Sequence, residues 1–521
     1  MQYNTATAEK VAPDRLAKWA LIVSGAITAV CAVTSFALPF GWDQGMMASV
    51  GNSYIHGKLP YVDSWDMKGP LSYLPYALAH VLFGPTMWGI RIFDVLVAAL
   101  TSFTFYRGIR RLTAWRIGAW AAFALYYWIA AAGWFFTAAP DPWIGSLCVM
   151  AIVPLLPPNE ALCRRRLALS GLLVGCAGLI KPPYLLAGIA LLLSIMLAQG
   201  LTRWQRAGLA LALAVGAAAP LMLACEYFAW RGGLSQAIEV HILYPFSTYA
   251  ALSTGTNALQ GFAAFFARPT VALLVPFAAL GVWALRRQPQ VLWPVLSWLA
   301  VMVFVVALQG KYFFQHWLPV YAPLLLLGAL GAHRLASVKG DAPLIVTSGA
   351  ALIFTAQVCA PPFYDAAKSM YYLGVKHAPD SYYASFQFQN YNAEDERAAA
   401  RYIKAHTNSN DGVFVWGNDA TVRYLADRPN PSRFTFEMPL SLQGPYRKRY
   451  RAEAMGELRA RPPTYFVAGV NWWAGDTKAQ SLAKFPEMAA FLKYGYSREQ
   501  SFGVVDLYRR NGSAKPHAFE R

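Results

Sequence analysis

From about residue 17 to 360 the chain reads as long apolar runs broken by short polar connections, and after 360 the pattern changes to short alternating pieces of ordinary soluble character. A helix needs about 20 apolar residues to cross the hydrocarbon layer. On that measure the runs near 17–40, 86–106, 114–132, 141–157, 167–180, 182–199, 207–230, 268–286, 291–308, 318–335 and 342–360 predict about eleven spans. The fifth and sixth meet at Lys181-Pro182-Pro183, which reads as a very tight connection or as a break inside one longer element. The first span is expected to be retained, since no small-residue cleavage site follows it.

Beyond 360 the spacing predicts a helix over Glu394–His406, a buried strand over Gly412–Trp416, a basic helix over Tyr446–Ala460, and strands over Thr464–Val467 and Gly503–Tyr508. Alternating helices and strands of that kind predict a small α/β domain. The expected fold is therefore an α-helical polytopic membrane protein with a C-terminal soluble α/β domain. Its membrane domain is expected over 1–360, with a polar loop at 41–85, and its soluble domain over 361–521.

Composition agrees with this division: 56% of the residues are hydrophobic and only 14% charged. A formal charge of +18 would suggest nucleic acid in a soluble protein. Here the basic residues cluster at every second connection, at Lys10, Arg15 and Lys18, at Arg107, Arg110, Arg111 and Arg116, at Arg164 to Arg166, and onward to Arg334 and Lys339. That is the distribution of cytoplasmic loops, with anionic lipid headgroups as partners and no nucleic acid. The six cysteines all lie in or beside apolar runs, so neither a disulfide framework nor a CxxC metal motif is expected.

With the N-terminus inside and an odd number of spans, the C-terminal domain falls outside. So do the polar stretches 41–85, 133–141, 231–267 and 309–317, together with Lys181. Eleven of the 27 acidic residues precede position 361, and those at the edge of apolar runs are expensive unless they face water or a ligand. Asp43, in Gly41-Trp42-Asp43-Gln44-Gly45, reads as a general base or orienting carboxylate for a hydroxyl arriving from outside; a helix N-cap or a surface aspartate fits the same place. Trp65-Asp66-Met67-Lys68-Gly69-Pro70 combines an aromatic platform, a carboxylate and an ammonium ahead of a helix-starting proline. Trp65 serves equally as an interfacial anchor.

Asp141, between Pro140 and Pro142, stands at the mouth of the fourth span, where a catalytic carboxylate and a cap are both possible. Lys181, Lys311 and His316 add cationic and donor groups on the same side, suited to a phosphate leaving group or to plain snorkelling. Arg91 and Asp94 are placed to pair with each other on one helix, and Glu226, Glu239 and His241 are weaker candidates. No zinc spacing, phosphate-cradling glycine loop or GxSxG elbow is present, and Val-Trp-Gly-Asn-Asp lacks the glycines of a dinucleotide loop. Chemistry at the outer face then has to draw on an energised substrate brought by a carrier.

Asp43-Gln44-Gly45, Gly57-Lys58-Leu59-Pro60-Tyr61, Asp66 to Pro70, Leu179-Ile180-Lys181-Pro182 and Tyr312 to Pro319 together resemble the GT-C superfamily of polytopic glycosyltransferases. The likeness is nearest to the bacterial protein-mannosyltransferase-like branch that includes the aminoarabinose transferases of lipid A. The resemblance implies a bacterial inner-membrane enzyme with a periplasmic C-terminal domain. Such an enzyme moves a sugar from a polyprenyl-phosphate donor to a glycan, lipid or protein acceptor such as lipid A or lipopolysaccharide, with inversion. It also implies that Asp43 is the catalytic carboxylate of the first outer loop and Asp141 the second acidic position, with Asp66, Lys68, Lys181, Lys311, His316 and Trp65 around the donor phosphate and sugar.

The family often has Asp-Glu where this chain has Asp43-Gln44, which leaves a Mg or Mn requirement open. Two other readings stand beside the transferase. One is a transporter or flippase of an anionic lipid or glycan, which predicts inverted repeats and broken midplane helices. The other is an O-antigen ligase or polymerase.

Overall fold

The computed structural model describes residues 15–157, 162–252, 255–469 and 477–512; Lys10 of the first basic cluster lies outside them. Helices stand at all eleven predicted positions: Arg15–Ser35, Gly89–Ile109, Trp115–Ala130, Pro140–Ile152, Arg164–Ile180, Gly188–Leu197, Arg203–Trp230, Pro269–Leu285, Pro289–Gln309, Leu318–Ala336 and Asp341–Ser369. Among the described residues, five helices are long and apolar enough to cross a membrane by themselves. Ala258–Phe266 and Pro269–Leu285, bent by 82°, make a sixth when taken together, and Ile22–Ser35, Pro140–Leu155 and Pro182–Leu197 are shorter apolar helices.

The Lys181-Pro182-Pro183 step is a connection between two helices. A residue before proline is driven out of the helical region, and Lys181 is extended at φ −143°, ψ 112°, before the 3-10 turn Pro182–Ala187 leads into Gly188–Leu197. Two helix pairs pack with almost no side chain between them. A Cβ on Gly216 would lie 2.1 Å from the Ala168 carbonyl oxygen, and one on Gly331 would lie 1.8 Å from that of Phe277. Small residues at such crossings let backbones approach closely, which is how helices associate where apolar side chains gain nothing by leaving lipid.

Two features differ from the linear reading. The polar stretch 41–85 is not a loop throughout, because it contains the helices Trp42–Ile55 and Leu74–Phe83. Trp42–Ile55 carries no apolar stripe to betray it and is buried over most of its first ten residues. The last long helix runs through Pro361 and Pro362 to Ser369 and continues as a π turn to Val375.

The C-terminal region holds a short hairpin, β1 (Gln387–Phe388) and β2 (Tyr391–Asn392), and a sheet of β3 (Val413–Trp416), β4 (Tyr465–Ala468), β5 (Tyr496–Phe502) and β6 (Val505–Arg510) in the order β3-β4-β6-β5. β3 and β4 are parallel, with Val413 opposite Tyr465, and the other pairings are antiparallel. Every residue of β3 and β4 is buried, as expected of strands covered on both faces. β5 is a polar edge strand, Tyr-Ser-Arg-Glu-Gln-Ser-Phe, and offers no apolar alternation to read.

This region is seated on the membrane half by backbone contacts. Trp65 N–H donates to the Arg433 carbonyl at 2.6 Å, Arg433 Nη1 donates to the Tyr61 carbonyl at 2.8 Å, and Ser49 Oγ donates to the Ala420 carbonyl at 3.1 Å. The seating carries the β1–β2 hairpin over the helix ends, where its Phe388 ring stacks on Phe135 at 4.1 Å.

Candidate active site

At the helix ends facing the C-terminal region lies a cavity of about 490 Å³. Asp43, Lys68, Asp141, Lys181 and His316 line it, and so do His241, Tyr249 and Gln309. Most of the remaining wall is apolar, including Trp42, Phe136, Phe314 and Phe388.

Asp43 occupies the first turn of Trp42–Ile55 and Asp141 the first turn of Pro140–Ile152, where the positive end of a helix dipole favours a carboxylate. Neither is the N-cap: those positions are Gly41 and Ala139. Both acids have a lysine partner. Lys68 Nζ lies 3.0 Å from Asp43 Oδ1 and 3.4 Å from Asp66 Oδ1, and Lys181 Nζ lies 2.6 Å from Asp141 Oδ1. Lys181 also donates to Gln309 Oε1 at 3.2 Å, which ties three helix ends together.

The Lys68 backbone is fixed by two buried phenols. Tyr61 and Tyr73 hydroxyls donate to the Lys68 carbonyl at 2.9 and 2.7 Å. Asp66 is completely buried behind Lys68, whereas the Asp43 side chain is 39% exposed, so the ammonium is anchored from behind and Asp43 is the most open of the three. Burial pushes the Asp66 carboxyl above its usual range, against the pull of Lys68. Burial works to lower the Lys68 ammonium, but Asp43 and Asp66 outweigh it and hold the group above the ordinary lysine value, hence charged.

Not every predicted residue lies on the cavity. Trp65 is buried against Tyr244, Phe436 and Tyr450, at ring separations of 4.8, 5.7 and 6.1 Å, and sits in the seam with the C-terminal region. Lys311 turns away to the Ala250 carbonyl at 3.0 Å and to that of Leu252, and so closes the loop that presents Tyr249. Asp66 reaches the cavity only through Lys68. Arg91 and Asp94 do not pair with each other. Arg91 donates to Thr137 Oγ1 at 2.6 Å, and Asp94 accepts from Trp143 Nε1 at 2.9 Å. Glu239 is taken up by Arg449 and the Tyr450 hydroxyl, and Glu226 is exposed.

Several wall residues gave no signal in the sequence. Tyr249 comes from a segment without charge, and Phe388, Gln389, Phe436 and Met438 come from the C-terminal region. His241 lies with its Nδ1 3.0 Å from the Met67 carbonyl, and burial lowers its pKa, so it stands as a neutral imidazole.

Among the described residues, no three His, Cys, Asp or Glu side chains gather as metal ligands. Gln44 explains part of this. Its amide Nε2 donates to the carbonyls of Trp134, Phe135 and Thr137 at 3.0, 3.2 and 2.8 Å, and its Oε1 accepts from Gly41 N–H at 2.9 Å. The side chain is a backbone fastener. The two cavity carboxylates are each matched by an ammonium.

Residues 67–227 match the model of a family described as dolichyl-phosphate-mannose-protein mannosyltransferase. No curated protein sequence matches the chain. Among solved structures, ArnT from Cupriavidus metallidurans aligns over 95% of this chain and 98% of its own, with a TM-score of 0.64 and 12% identity. The oligosaccharyltransferase of Archaeoglobus fulgidus aligns over 95% of this chain and 74% of its own, with a TM-score of 0.48 and 13% identity. The helical half, the sheet-bearing C-terminus and the whole-length agreement with ArnT make this a polytopic membrane protein with the fold of the GT-C superfamily.

Proposed function

We propose that the protein is a glycosyltransferase of a bacterial inner membrane, moving a sugar from a polyprenyl-phosphate donor to an acceptor on the outer face. In this reading residues 1–360 form the membrane domain and 361–521 a periplasmic domain. The acceptor is lipid A, lipopolysaccharide or another envelope component bearing a hydroxyl or amine. The observation that carries the proposal is one cavity, mostly apolar, with two carboxylates that each stand beside a lysine.

Such a cavity suits an amphiphilic donor. A prenyl chain fits the aromatic and aliphatic wall, and a phosphate fits the end where Lys68 and Lys181 stand. The reaction is a single displacement. Asp43, the more open carboxylate, takes the acceptor proton as the acceptor oxygen bonds to the anomeric carbon. The bond from that carbon to the phosphate oxygen breaks with its electron pair staying on the phosphate, where the lysines meet the growing charge. Attack opposite the leaving phosphate inverts the anomeric centre. Asp141, nearly buried and paired with Lys181, holds that lysine in place and accepts from a sugar hydroxyl.

The direct test is transfer from a synthetic polyprenyl-phosphate sugar by the purified protein in detergent. Asp43→Asn should lower kcat by about 10²–10⁴-fold, the usual worth of a positioned general base. An Asp43→Asn protein that is folded and turns over at the wild-type rate removes Asp43 from the reaction. Mass spectrometry of lipid A and polysaccharide from a deletion strain identifies the acceptor by its missing sugar.

A further inference from the structure

From the short helix Gly133–Phe136 to the start of the Asp141 helix, backbone carbonyls are taken by side chains from elsewhere. The Trp134 carbonyl accepts from Gln44 Nε2 at 3.0 Å and from Arg91 Nη2 at 3.1 Å. The Phe135 and Thr137 carbonyls accept from Gln44 as well. The Thr137 hydroxyl accepts from Arg91 Nη1, and the Ala138 carbonyl accepts from the Tyr76 hydroxyl at 2.6 Å.

Ala138 itself sits at φ +50°, a left-handed conformation that a residue with a Cβ keeps only when its surroundings enforce it. Two residues further along, after the extended Ala139, Pro140 opens the helix that carries Asp141. The same two donors also hold the approach to Asp43. Gln44 is its chain neighbour and caps Gly41 N–H, and Arg91 Nη2 donates to the Pro39 carbonyl. Gln44 is fully buried and Arg91 nearly so.

We propose that Gln44 and Arg91 form a positioning clamp that sets Asp43 and Asp141 in register across the cavity. An amide and a guanidinium suit this role, since each presents several donors in a fixed plane, and neither can be replaced by a carboxylate, which offers only acceptors to a row of carbonyls. Gln44 therefore has a duty of its own in this chain. The clamp touches no reacting atom and acts through the two acids; its kinetic arm rests on the transferase reading.

Four variants test it: Gln44→Met, which keeps length and loses the donors; Gln44→Glu, which keeps shape and loses them; Arg91→Met; and Arg91→Lys, which keeps a donor. A displacement of about 1 Å between reacting groups costs up to about 10²-fold in rate. We expect kcat to fall toward that extent in Gln44→Met, Gln44→Glu and Arg91→Met with the donor KM unchanged, and Arg91→Lys to recover part of the loss. Backbone amides over 134–139 should exchange faster with deuterium in the donor-less variants. Unchanged kcat in Gln44→Met and Arg91→Met overturns the clamp, as does a loss that appears in KM alone or is equal in Arg91→Lys and Arg91→Met. Should the wild-type protein transfer no sugar, it is the transferase reading that falls. Deuterium exchange then decides the clamp by itself, since unchanged protection over 134–139 overturns it.

Discussion

Gly69 lies so close to the end of the Arg164–Ile180 helix that a Cβ on it would stand 1.9 Å from the Leu179 carbonyl oxygen. Its own N–H donates to the Ile180 carbonyl at 3.2 Å. Lys68 precedes one partner of this contact and Lys181 follows the other, so a missing side chain is what lets the two lysines share a cavity.

Gly69→Ala should therefore damage both lysine sites at once. The neighbour is backbone and cannot swing aside, so the strain should cost about 1–3 kcal/mol, as overpacked sites do. A lowered Tm in detergent together with a raised donor KM is the expected result. A variant with wild-type Tm and KM shows that the two segments move apart freely.

Of the two cavity carboxylates that pair with a lysine, Asp141 is the more buried, only 5% exposed beside Lys181. Breaking such a pair from one side leaves a buried charge without compensation, a loss of about 3–5 kcal/mol. Lys181→Met should be poorly folded, and Lys181→Met combined with Asp141→Asn should regain much of the stability without the activity. Thermal unfolding of the single and double variants checks this; a double variant no more stable than Lys181→Met contradicts it.

Trp65 packs among three aromatic rings in the seam between the two halves. Trp65→Ala should lose about 3–5 kcal/mol, the range for large core aromatics, and Trp65→Phe should keep the donor KM. If Trp65→Phe instead raises KM strongly at unchanged Tm, the ring touches substrate.

Glu396 gives a pH dependence. Burial foremost, and then the Asp419 carboxylate, hold it well above the ordinary glutamate range, with Tyr391, Thr421 and Asp395 also facing it. A protonated Glu396 can donate to the Tyr391 oxygen 2.6 Å away, leaving the phenol hydrogen for the Phe40 carbonyl at 2.9 Å. The folded state thus binds this proton more tightly than the unfolded chain. Its contribution to stability is complete below about pH 4.3, the unfolded glutamate value, and is lost as pH rises through the higher folded one. Glu396→Gln should flatten the fall of Tm between mildly acidic and alkaline pH. A curve parallel to that of the wild-type protein means that Glu396 does not titrate there.

The membrane helices were legible because lipid leaves the backbone few choices, so a run of apolar residues near the required length is close to a sufficient signal. Lys181-Pro182 announced its break for a reason as local as the proline ring. The strands β3 and β4 were readable for the same kind of reason, being short runs that are apolar on both faces, while the edge strand β5 and the helix Trp42–Ile55 were not. Each is held by a partner and not by a pattern of its own: β5 by pairing with the adjoining β6, and Trp42–Ile55 by the Ala420–Ala426 helix far along the chain.

The sequence by itself determined which residues have chemistry to offer, since carboxylates and ammonium groups at the ends of apolar runs are few and each is conspicuous by its solvation cost. It could not say which of them face one another. Trp65 and Lys68 are three positions apart, yet one is core and the other lines the cavity, because the seating of Arg433 and Phe434 buries the first while two tyrosine hydroxyls turn out the second. The partners of Asp43 and Asp141, the donors that hold the 134–138 carbonyls and the share of the wall supplied by Phe388 and Phe436 were decided only in three dimensions. Hydrogen bonds and ion pairs act over about 3 Å, and only packing brings such distant positions within that reach.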